Sequence, residues 1–233
     1  HSLGRNILGK PDLLRQFKTS NALDFTSRYY RPNNMVFFVQ GNIDFKRVVR
    51  LVEKAVGDIT TCTSEQKRDI PHLYVPQSKI IRRDTHQAHV MIGSRGYDAH
   101  SDKRTALYLL NNILGGPGMN SRLNVFCIYF GADSKDVSRC IRLVHKELKR
   151  LREKPLSTLQ LASAKKQIIG QISVARDNSE STALDLGKTF LHYGKYEEPD
   201  KVFRRIEALT AHDLWDVSNE MFAEDYLSTL IYE

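Results

Sequence analysis

The chain has 233 residues, of which 41% are hydrophobic and 27% charged, and it carries a net charge of +8. Those values suit one large or two small folded domains and exclude the disordered and fibrous classes. No apolar run approaches the roughly 18 residues that a membrane-spanning helix needs, so no membrane partner is expected.

Taken in chain order, residues 11–30 (PDLLRQFKTSNALDFTSRYY) read as helical pieces. Leu13, Leu14 and Phe17 form one face, and Pro11 suits a first helical turn, where its missing N–H costs nothing. Residues 31–34 (RPNN) break that pattern. Residues 35–40 (MVFFVQ) predict a short apolar strand, Gly41-Asn42 a turn, and residues 45–56 a helix with Val48, Val49, Val52 and Val56 inward. Asp44 stands at its N-cap position. Residues 57–78 read as a linker: TTCTSEQKRD (60–69) is polar and aperiodic, and Pro71 and Pro76 follow it.

Beyond the linker, residues 79–93 (KIIRRDTHQAHVMIG) alternate like one or two strands. A helix follows over 103–114, then a Gly-Gly loop, a strand over 125–130 and a strongly basic helix over 135–154. Further helices run from 158 to 221, and a last strand covers 227–232. In the basic helix Val137, Cys140, Ile141, Val144, Leu148 and Leu151 form one apolar stripe, leaving Lys and Arg on the solvated face. There is no Arg-rich tail and no aromatic-interleaved basic strand for stacking bases, so a nucleic-acid partner is not expected.

Residues 36–54 and 125–146 share the order strand, Gly, Asp, helix, and the words RLVEK and RLVHK. This is the pattern of two similar βα units in an α+β fold.

Cys62, Cys127 and Cys140 are an odd set with no CxxC, which opposes both a disulfide framework and a Cys-based zinc site. Reduced thiols of this kind suit a cytoplasmic setting, and Cys127 and Cys140 are expected in the core. The opening residues HSLGRNILGK show no basic–apolar–small leader pattern. His86 and His89 are the closest histidine pair, but residues three apart on a strand face opposite ways, so no metal site is expected there. His192 and His212 lie among helices without Glu or Cys at ligand spacing and read as packing or surface residues. Ser121 lacks the Gly-x-Ser-x-Gly elbow of a nucleophile and suits a helix N-cap. The loop Gly115-Gly116-Pro117-Gly118 follows a helix and lacks the Lys-Ser/Thr of a phosphate loop, so it reads as a C-capping hinge.

One resemblance runs through these segments. LYLLNNILGGPGMNSRLN (107–124) resembles the helix, Gly-Gly and Ser-Arg-Leu signature of the second half of pitrilysin/insulinase-type zinc metallopeptidases, which include the mitochondrial-processing-peptidase-like proteins. HSLGRNILG resembles the loop that closes the family's catalytic half, with Ser2 in place of the usual proline. YYRPNNMVFFVQGNID and QAHVMIGSRGYDAHSDKRTALYLLNNILGG resemble the strand and turn that end that half and the strand and helix that open the next. The family's His-x-x-Glu-His motif, which carries zinc and the general base, is absent from these 233 residues.

The resemblance implies a pitrilysin-like α+β fold: a duplicated mixed or antiparallel sheet with helices packed on one face. It divides the chain into residues 1–57, the end of the catalytic half; a linker, 58–78; and the non-zinc-binding half, 79–233. About twenty family positions are missing between Asn124 and Val125, among them the substrate-gripping Arg and Tyr. By the same resemblance the parent is a zinc-dependent metalloendopeptidase that hydrolyses peptides or extended polypeptides. Its partners would be such a substrate and a second homologous domain or subunit, as in a homodimer, facing this one across a chamber.

This portion then supplies wall and scaffold, with no catalytic and no metal residue of its own. His89, Met91, Gly93, Gly115, Gly116, Ser121 and Arg122 are the candidates to face substrate, and exposed strand edges could bind extended peptides by strand addition. The competing readings are a non-catalytic paralogue or partner subunit of such a peptidase, and a basic α+β nucleic-acid-binding module.

Overall fold

The computed structural model describes residues 5–59, 73–82, 86–98, 100–115, 125–177, 179–196 and 198–233. It divides into two compact units, one of residues 1–72 with 175–196 and one of residues 73–174 with 197–233. The grouping of 175–196 with the N-terminal segment is non-contiguous in sequence, which a linear reading has no means to reveal.

The first unit holds α1 (Pro11–Gln16), α2 (Thr19–Tyr29), α3 (Phe45–Val56) and α7 (Ser179–Tyr193). Local signals set their ends. Pro11 opens α1, and Asp44 Oδ1 accepts the Arg47 N–H at 2.7 Å to cap α3. Two expectations fail here. Residues 35–40 form no strand: Met35 is extended (φ −128°, ψ 144°), but the segment has no ladder partner among the described residues. An apolar run can prefer the extended form, but a strand also needs a neighbour to hydrogen-bond. Of the four valines expected inward on α3, Val48 and Val52 are half-buried, but Val49 and Val56 are exposed and no residue of the helix is fully buried. Of the two similar segments, the first therefore has its helix without its strand.

The second unit is a mixed four-stranded sheet with helices. Its strands are β1 (Ser78–Ile81), β2 (Ala88–Arg95), β3 (Val125–Ala132) and β4 (Ser228–Tyr232), in the order β1-β4-β2-β3. β1 runs parallel to β4, and the β4–β2 and β2–β3 pairs are antiparallel. The stretch read as 79–93 is thus two strands that do not pair with each other, each taking β4 as neighbour.

Ala88, Val90, Ile92 and Phe126 are buried on one side of the sheet. They share a core with Leu107, Leu109 and Leu110 of α4 (Arg104–Gly115), Leu148 and Leu151 of α5 (Val137–Glu153), and Ile168 of α6 (Thr158–Arg176). Ile206 of α8 (Pro199–Ala208) and Leu214, Val217 and Met221 of α9 (Ala211–Met221) complete it. Phe126 and Phe222 meet with ring centroids 4.8 Å apart. Helices packed on one face of a mixed sheet are the α+β architecture that the sequence implies.

Candidate functional site

Alternation along β2 decides which side chains reach the helix-free face. With Ala88, Val90, Ile92 and Ser94 buried beneath the sheet, His89, Met91, Gly93 and Arg95 are left on the other side. Register adds their neighbours: His89 lies between Gly131 and Tyr232, Met91 between Tyr129 and Leu230, and Gly93 between Cys127 and Ser228. The open face is therefore a patch of mixed aromatic, thioether and thiol groups. Among its described side chains, from Lys79 and Ile81 on β1 to Val125 on β3, none is acidic.

Three features shape it. His89 and Tyr129 stack with their rings 5° from parallel, and His89 Nδ1 lies 2.7 Å from the Tyr129 hydroxyl. Each ring thus fixes the other, while Met91 (41% exposed) and Tyr129 (56%) remain accessible. Gly93 is a required gap, since a Cβ there would stand 2.4 Å from the carbonyl oxygen of Phe126. Cys127 is a free, exposed thiol, and partial burial pushes its pKa up. Its expected place in the core is corrected: Phe126 and Ile128 take the inner side of β3, so strict alternation turns Cys127 outward. Cys140 is half-buried.

One end of the face is tied down by a polar chain. The Gln77 N–H donates to Ser228 Oγ (3.1 Å), which lies 2.5 Å from the Tyr74 hydroxyl, and that hydroxyl donates to the Gly93 carbonyl (3.2 Å). The Tyr74 ring meets Tyr226 edge-on at 5.1 Å. Beyond β2, Glu220 of α9 accepts from Tyr97 and from Lys103. Burial raises the Glu220 pKa, but the bonds from Lys103 and Tyr97 outweigh it and hold the carboxyl below its ordinary value. Burial, then the Glu220 contact, pushes the Tyr97 hydroxyl well above its ordinary range, so this clamp keeps one fixed protonation state.

The structure thus brings His89, Met91 and Gly93 together on one surface. Gly115 is the exposed last residue of α4, away from them in sequence and element. Gly116, Ser121 and Arg122 lie outside the described residues, as does the junction between Asn124 and the start of β3. Tyr129, Cys127, Leu230 and Tyr232 join the face without having been foreseen. A strand over 125–130 was legible, but only strand pairing shows which of its faces meets Met91.

His212 pairs with Asp216 at 2.9 Å and His192 lies against the Tyr193 ring, both in helices. Among the described residues no three His, Cys, Asp or Glu side chains converge as a metal site would require.

Comparison with known proteins adds the family. Residues 17–125 match the peptidase M16 inactive domain. That stretch, just under half of the chain, is similar to the inactive domain of M16 peptidases. It is 25% identical to the uncharacterized zinc protease YmxG of Bacillus subtilis over 99% of this chain and 62% of that protein. The alignment runs over 256 positions, more than the chain itself has, so YmxG carries residues that this chain lacks.

Two solved structures share the fold at 16% identity. A protease from Helicobacter pylori matches with a TM-score of 0.74 over 97% of this chain and 61% of that one. A chain of complex III2 from Candida albicans matches with a TM-score of 0.82 over all of this chain and 63% of that one. The chain thus spans less than two thirds of the relatives it matches. Among the described residues, no helix is long and apolar enough to cross a membrane.

Proposed function

We propose that these residues are the non-zinc-binding portion of a zinc-dependent metalloendopeptidase, and that the open face of the second unit's sheet is part of the wall against which substrate lies. The observation that carries this reading is the gathering of His89, Met91 and Gly93 with Tyr129 and Cys127 on a helix-free, acid-free face. The match to an M16 inactive domain and the zinc-protease relatives support it.

Physically the face suits an extended chain. It offers ring and thioether surface at strand spacing, a side-chain-free dip at Gly93, and a flanking strand, β3, at the end of the sheet order whose outer backbone can take an added strand. The zinc, its ligands and the general base belong to parent-protein residues outside these 233, and a second homologous domain or subunit closes the chamber.

Cys127 supplies the test. In the full-length protein with Cys62 and Cys140 replaced by Ser, a peptide substrate should slow maleimide alkylation of Cys127 several-fold. Cleavage of that peptide with no protection of Cys127 would remove this face from the chamber wall. Absence of any zinc-dependent cleavage would remove the peptidase reading itself.

A further inference from the structure

We propose that the outer face of α5 docks another protein through a row of carboxylates set at helical spacing. Residues 135–154 carry eight Lys and Arg against three Asp and Glu, a surplus of five out of the whole chain's +8. The structure aligns part of that surplus. Val137, Leu148 and Leu151 of α5 are buried, which turns Arg139, Arg142, Lys146 and Lys149 outward at spacings of three, four and three residues. They form one exposed line roughly 15 Å long, at 1.5 Å of rise per residue.

Helix geometry makes this line costly where it stands. Arg139–Arg142, Arg142–Lys146 and Lys146–Lys149 are like-charge pairs at the spacings where side chains meet, and each disfavours the helix. Local acids offset little of this. Glu147 pairs with Arg150 and Glu153 with Lys149, leaving Arg139, Arg142 and Lys146 without an ion pair among the described residues. A solvated face chosen only for solubility would intersperse the two signs. This one concentrates a single sign and sets Leu143, 53% exposed, directly beside it.

Charge complementarity calls for an anionic surface with the same periodicity. The absence of any aromatic residue on this helix disfavours a single-stranded nucleic acid, whose unpaired bases would be gripped by stacking, and the exposed leucine favours a protein over a duplex, which presents phosphates and no apolar surface to such a line. A helix with Glu at positions three and four apart fits both the line and the leucine.

The test uses the full chain at about 150 mM salt, where surface charges act over about 8 Å. The probe is a fluorescent helical peptide with Glu along one face, and the control is a peptide of the same composition with its Glu scattered. The aligned peptide should bind at least tenfold more tightly than the scattered one. The R139E/R142E/K146E variant should lose that binding at least tenfold. The neutral variant R139Q/R142Q/K146Q should lose most of it while its melting temperature rises by a degree or more, a gain in stability at the expense of binding.

Equal binding of the two peptides would overturn the proposal. So would tighter stripe-dependent binding of a DNA duplex, a single-stranded RNA or phosphatidylserine vesicles, or no binding at all.

Discussion

The two units are built from similar local grammar and end differently. The first has a proline-opened helix, an Asp-capped amphipathic helix and an apolar extended segment, yet none of its described residues is buried. The second has no better caps, but every buried residue of the chain among those described lies in it. Caps and periodicity therefore decide where an element begins and which side seeks burial. They do not supply something to be buried against, which is a property of the surrounding structure.

That contrast is sharpest for phenylalanine. Phe126 is 1% exposed and Phe45 is 77% exposed. Truncating Phe126 to Ala should cost about 3–5 kcal/mol. The same change at Phe45 in the 233-residue polypeptide should stay within about 0.5 kcal/mol. Denaturant unfolding followed by circular dichroism measures both, and equal costs would mean that the first unit has an interior after all.

A middle-sized effect is expected at Gly93, where a methyl group would collide with the β3 backbone. Gly93→Ala should destabilise by about 1–3 kcal/mol through overpacking and loosen the β2–β3 pair. Hydrogen exchange of the Cys127 amide reads this directly, and unchanged protection would show that the strands part without penalty.

The smallest test compares caps. Thr210 and Asp213 cap α9 reciprocally, with Thr210 N–H donating at 2.7 Å and Asp213 N–H returning a bond at 3.1 Å. Thr210→Ala should lower global stability by about 1 kcal/mol, whereas Asp44→Ala, on α3 of the coreless unit, should leave it within about 0.5 kcal/mol.

The same α9 cap has a pH signature. Backbone and side-chain bonds from Thr210 hold the Asp213 carboxyl below its ordinary value, so the unfolded chain takes up that proton first as pH falls. Its stabilisation is complete above the ordinary carboxylate pKa of about 3.9 and is lost as pH drops through the lowered folded value. Asp213→Asn should flatten that part of the stability profile, and an unaltered profile would assign the acid sensitivity elsewhere.

Much of this was legible in the residues alone. α3 begins and ends where the valine periodicity and Asp44 put it, and the α5 stripe buries Val137, Leu148 and Leu151 as its spacing requires. Alternation placed His89 and Met91 on one side of β2, and the Gly-Gly and Ser-Arg-Leu words pointed to the peptidase resemblance that the M16 inactive-domain match over 17–125 supports. Partnership was not legible. Residues 35–40 look like a strand because five apolar residues in a row, Met35 to Val39, prefer to be extended, but pairing is decided by a neighbour that no local window contains. The outward turn of Cys127 has the same origin, since both sides of β3 carry apolar residues and only the helices beneath choose between them.

The position of β4 has a consequence for how the second unit comes into being. The strand spans Ser228–Tyr232, yet it lies between β1 and β2 and pairs with both, across some 150 residues of chain. Until it arrives, β1 has no strand partner among the described residues and the β4-facing edge of β2 is bare. A nascent chain therefore carries an unfinished sheet until residue 232 has been made, with Val90 and Ile92 already waiting on it. Closure over such separations is slow, so assembly of this sheet is expected to wait for residues 228–232, and the half-built edge is the surface that a chaperone would have to guard.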